Sequence, residues 1–138
     1  MAFKDTVLSA SLERVVIRVG AVNLTVEVLP TTFNTTIPFF VGRIDEDHFF
    51  ISDAIPEKFR FAVMTHEANC LALKACGREG HCIMALQEEM KRVPAADIPE
   101  YKVMRIAMFT GLVEHLSQGP QTPFTEEVKR TLTALHML

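Results

Sequence analysis

With 138 residues, 49% of them hydrophobic and only 22% charged, the chain has the size of one domain and enough apolar side chain to bury a core, which excludes disorder by composition. A formal charge of -3 and no basic run longer than Lys91-Arg92 give no general attraction for phosphate backbones, so nucleic acid is not an expected partner. No apolar stretch nears the roughly 18 residues of a membrane span and residues 1 to 4 lack a signal peptide's apolar core, so a soluble, cytoplasmic protein is expected.

In chain order, Phe3, Val7, Leu8 and Leu12 recur at helical spacing and predict an amphipathic helix over about residues 3 to 13. The β-branched run Val15, Val16, Ile17 and Val19 predicts a strand. After Gly20, Val22, Leu24, Val26 and Val28 alternate with Asn23, Thr25 and Glu27, the two-residue period of a half-buried strand ending at Pro30. A threonine-rich stretch leads to residues 37 to 44, and the acidic turn Asp45-Glu46-Asp47 separates them from residues 48 to 51, which reads as a β-hairpin. Pro56 suits the first position of a second helix reaching about Cys76, with Gly77 as its stop. A third helix should run from about Gly80 to Arg92, antiparallel to the second because the link is so short. Asp97 with Glu100 matches a capping box for a fourth helix over residues 98 to 117, and Thr122-Pro123 opens a fifth. The fifth should bury Phe124, Val128, Leu132 and Leu135 and expose Glu127, Lys129 and Arg130. The expected class is therefore α+β in one domain, residues 1 to 138: an N-terminal helix, a small three- to four-stranded sheet with a hairpin, then four helices.

The second helix carries Met64-Thr65-His66-Glu67-Ala68-Asn69-Cys70, an HExxH pattern with its last His replaced by Cys. Four-residue spacing puts two metal ligands on one helical face, and a Glu beside the first can act as general base on metal-bound water. His66 and Cys70 share a face with Phe59, Val63 and Leu73 and should point inward, while Glu67 is turned about 100 degrees away. Reflection across the turn near residues 78 and 79 sets Glu88 and Glu89 level with Asn69 and Ala68. Glu89 also shares the apolar face of Cys82, Ala85, Leu86 and Val93, so it is the first choice as third ligand. His81 reflects to Cys76, about 9 Å along the axis from Cys70, and ranks second; Glu88 is the other alternative.

Residues 48 to 90 resemble the core of a zincin-type metallopeptidase: a strand, a short turn and the HE-bearing helix, in that order. The resemblance implies that residues 48 to 51 align substrate, that His66 is the first zinc ligand and Glu67 the base, and that Cys70 stands at the second-ligand position. In the gluzincin subgroup a Glu follows the second ligand after eighteen residues, which implies Glu89 here. The Cys at position 70 bears directly on activity, since a thiolate donates charge to zinc and weakens it as a Lewis acid.

Two functions are thus expected from different classes. One is a small zincin-like metal-binding protein with zinc on His66, Cys70 and Glu89, a zinc-dependent peptidase acting on peptide or protein substrates if Glu67 serves as base. The other is a non-catalytic helical scaffold or protein-interaction protein in which Met84, Met90, Met104 and Met108 serve packing or a homo-oligomer. Cys70, Cys76 and Cys82 are odd in number and close together, which suits reduced thiols. Without a CxxC pair or a glycine-rich phosphate loop, a zinc ribbon, thioredoxin-like redox chemistry and nucleotide binding are all unsupported. A His66–Cys70 hydrolase lacks any recognisable oxyanion hole or orienting group.

Overall fold

The first helix, α1 (Phe3–Ala10), stops early because the next residues are claimed by the sheet. Ser11 Oγ bonds the Glu13 carbonyl and the Glu27 carboxylate, and the Leu12 amide donates to Val28 O at 2.7 Å. In this computed structural model, residues 3–35, 37, 39–75 and 81–137 are described, with the side chains of 70–83, 123 and 124 left out. Among them the fold is α+β, with five α-helices and one four-stranded mixed sheet.

The strands are β1 (Glu13–Val19), β2 (Val22–Leu29), β3 (Val41–Asp45) and β4 (His48–Ser52), in the order β1-β2-β4-β3. β1 and β2 form an antiparallel hairpin closed by Gly20-Ala21. Gly20 has φ 61 and is the only described residue with positive φ, so the two-residue loop is type II′, whose first central position favours glycine. β3 and β4 form the second hairpin, and β4 lies parallel to β2. β2 is therefore an interior strand, and the half-buried face expected from its alternation is covered as well: Glu27 is 1% exposed.

One face of the sheet, with Leu24, Val26, Val28, Phe49 and Ile51, packs on α2 (Glu57–Ala75) through Phe59, Ala62, Val63 and Met64. Each of these side chains other than Ala62 contributes about 1.5–3 kcal/mol when fully buried. A second cluster joins Val7, Leu29, Phe50 and Phe40 to Leu86 of α3 (His81–Met90), to Met108 and Phe109 of α4 (Ile98–Leu116), and to Val128 and Leu135 of α5 (Pro123–Met137).

Several local expectations need correction. Asp97 makes no side-chain cap on α4; it ends a 3₁₀ turn, Ala95–Asp97, and lies 3.5 Å from Lys58 Nζ instead. Capping appears at α5, where Thr122 Oγ1 accepts the Thr125 amide at 3.2 Å. Glu127 is not an outward residue: it is buried and paired with Arg130 at 2.8 Å. Of the two roles open to the methionines, Met104 and Met108 take packing, since both are buried in the core. Residues 48 to 51 lie in β4, which is hydrogen-bonded on both sides, to β2 and β3. No described helix is long and apolar enough to cross a membrane.

Candidate functional site

α2 runs 19 residues without an interior Gly or Pro, and the inward face that carries Phe59 and Val63 also carries His66. α3 packs against α2 and turns Ala85, Leu86 and Glu89 inward, so Glu89 meets His66 as the short link predicts. His66 Nδ1 lies 2.5 Å from Glu89 Oε1, both side chains essentially fully buried.

α4 supplies two further residues, one turn apart. Tyr101 Oη donates to Glu89 Oε2, and Arg105 Nη2 donates to Oε1 at 3.0 Å. Arg105 is 0% exposed, its guanidinium lies 4.9 Å from the Phe109 ring centroid, and Nη1 reaches Met108 Sδ at 3.1 Å. The His66 ring meets Phe109 edge-on at 6.1 Å, and Tyr101 meets Phe59 edge-on at 5.0 Å. Three polar side chains, from α2 and α4, thus share the one carboxylate of α3 inside an aromatic shell.

Burial alone would raise the Glu89 carboxyl, but the charges of Arg105 and His66 and the hydrogen bonds outweigh it and hold the pKa below the ordinary carboxylate range. Burial, then the Glu89 carboxylate, pushes the Tyr101 phenol upward, so it stays a protonated donor. Burial opposes the charge on Arg105, yet Glu89 more than restores it. Glu67 is half-buried, and its charge acts on both Tyr101 and Arg105.

Of the sequence candidates, His66 and Glu89 are brought together and Glu67 lies beside them. Glu88 is half-exposed and bonds Lys91 at 2.9 Å, so it does not compete with Glu89. Cys76 lies outside the described residues, and the side chains of Cys70, His81 and Cys82 lie outside the described ones. Tyr101 and Arg105 were not singled out by sequence, although an Arg among Met104, Ile106, Met108 and Phe109 signals a cation that needs a buried anion.

The donor arrangement does not fit a metal held between His66 and Glu89. Two ligands of one tetrahedral zinc at about 2.0–2.1 Å stand roughly 3.3 Å apart, well beyond the 2.5 Å observed. Both Glu89 oxygens already accept donors, and a fixed guanidinium supplies the positive charge. Among the described residues no group of three or more His, Cys, Asp and Glu is placed to hold a metal ion.

A second buried carboxylate lies on the other face of the sheet. Glu27 accepts from Ser11 Oγ at 2.7 Å and Arg14 Nε at 2.6 Å, and lies 2.7 Å from His48 Nε2. Burial raises its pKa, but these partners together bring it below the usual range. The cluster pins the start of β1 to β2 and β4.

Compared with models of known protein families, with curated proteins and with solved structures, the chain matches none.

Proposed function

We propose that this chain is a non-catalytic, protein-interacting scaffold whose HE-bearing helix is locked to its neighbours by an internal ion network. The observation that carries this reading is the closed partnership at Glu89: Arg105 and His66 on one oxygen, Tyr101 on the other, all buried. Where the HE pattern calls for a dication, Arg105 supplies the compensating charge. The network ties α2, α3 and α4 together around the second-helix face.

The zincin-like alternative keeps one supporting observation, the meeting of His66 with Glu89. Under it, His66, Cys70 and Glu89 would hold zinc, with Tyr101 and Arg105 orienting Glu89 from outside the ligand set. A single thermal experiment separates the two. The unfolding midpoint of the purified chain is measured in chelator and in zinc. The scaffold reading predicts no difference, whereas a zinc site filled at 100 times its Kd would add about 2.7 kcal/mol and raise the midpoint.

A further inference from the structure

Among the described residues, the hairpin strand β1 forms an exposed edge of the sheet, opposite the edge formed by β3. Its seven residues, ERVVIRV, contain no proline, and their register against β2 is unbroken from Glu13 to Val19. Proline and a broken register, two of the usual devices that blunt an edge, are absent from β1, and its only such guards are the charged side chains of Glu13, Arg14 and Arg18.

The direction of its free backbone groups follows from the loop. In a two-residue hairpin the closing pair, Val19↔Val22, exchanges both hydrogen bonds, and alternation makes Ile17, Val15 and Glu13 face β2 as well. Arg14, Val16 and Arg18 then present their N–H and C=O groups outward. Their side chains share one face, with Val16 66% exposed between two exposed arginines. Arg14 gives its Nε to Glu27 but keeps 59% of its side chain exposed; Arg18 bonds only a carbonyl, Gly20 O, which leaves its charge uncompensated by that bond. On the opposite face Val15 and Ile17, with Glu57, Arg60 and Phe61 of α2, line a shallow open groove.

A second copy fits this edge badly. The antiparallel pairing that uses all three outward residues sets Val16 against Val16, which places Arg14 directly opposite the other copy's Arg18, twice. We propose instead that β1 docks an extended peptide strand that alternates apolar with acidic residues, adding it to the sheet as a fifth strand. Main-chain bonds to residues 14, 16 and 18 hold it, its apolar side chains enter the groove beside Phe61, and its acidic ones lie against Arg14 and Arg18. This inference does not depend on the Glu89 network.

The test is an NMR titration of the isotope-labelled full chain with a capped seven-residue peptide alternating valine with glutamate, and with its valine–lysine counterpart. The expected result is amide shifts centred on residues 13 to 19, with the glutamate peptide binding at least about tenfold more tightly and weakening as salt is raised. Val16→Pro removes the central outward N–H without touching the β2 ladder and should abolish binding. Arg18→Glu, an exposed change that decides the matter even if the proline variant does not fold, should weaken the glutamate peptide and favour the lysine one. Equal affinities, no binding at millimolar peptide, or shifts elsewhere would overturn the proposal. So would concentration-dependent self-association of the wild type that is lost in Val16→Pro, which would assign the edge to a second copy.

Discussion

At the scale of single residues, the weight falls on Glu89, a carboxylate with 0% exposure whose charge survives only because Arg105 and His66 stand against it. Removing one partner of a buried pair strands the other, so Arg105→Met should cost about 3–5 kcal/mol in urea unfolding. Pairing it with Glu89→Met should recover most of that loss, since replacing both charges with apolar groups is often neutral or better. The acid limb of stability has a definite sign. Glu89 and Glu27 have folded pKa values below the ordinary carboxylate value, so their contribution is fully present above about 4.5 and is lost as pH falls through the depressed folded values. Glu89→Gln should therefore flatten the pH dependence of the unfolding free energy below about 4.5, while leaving the neutral limb with a constant loss. A wild-type slope retained in that variant would assign the acid limb to other groups.

At the scale of elements, the hairpins and α2 follow from short-range rules that the sequence displays openly. Period-two alternation, a glycine at a II′ position and an uninterrupted 19-residue helical run are local signals. Gly20→Ala should cost about 1 kcal/mol, because its φ of 61 penalises a Cβ even though the space is open. Gly42→Ala fails for a different reason: a Cβ there would run into the Phe50 ring on the neighbouring strand, and overpacking of this kind costs about 1–3 kcal/mol. Thermal or urea unfolding of the two variants checks both values. What the local rules could not give is which neighbour a polar group takes. Asp97 looks like an N-cap in sequence but finds Lys58, 39 positions away, and Glu27 looks solvent-facing until β4 and the Ser11 segment close over it.

At the scale of the whole molecule, the meeting of His66 with Glu89 was legible because a short link between two helices fixes which turns lie level. Arg105 and Tyr101 were not, because α4 reaches the pair only through tertiary packing that no spacing in the sequence encodes. Their arrival changes the chemistry of the site. A His–Glu pair alone invites a cation, whereas a His–Glu pair already holding a buried guanidinium and a phenol is a finished ion network joining α2, α3 and α4. The measurement that tests this most directly is the zinc content of the purified chain after incubation with zinc and dialysis, alongside His66→Ala. The scaffold reading predicts well under about 0.1 zinc per chain in both; about one zinc per chain in the wild type, lost in His66→Ala, would contradict it and restore the metal centre.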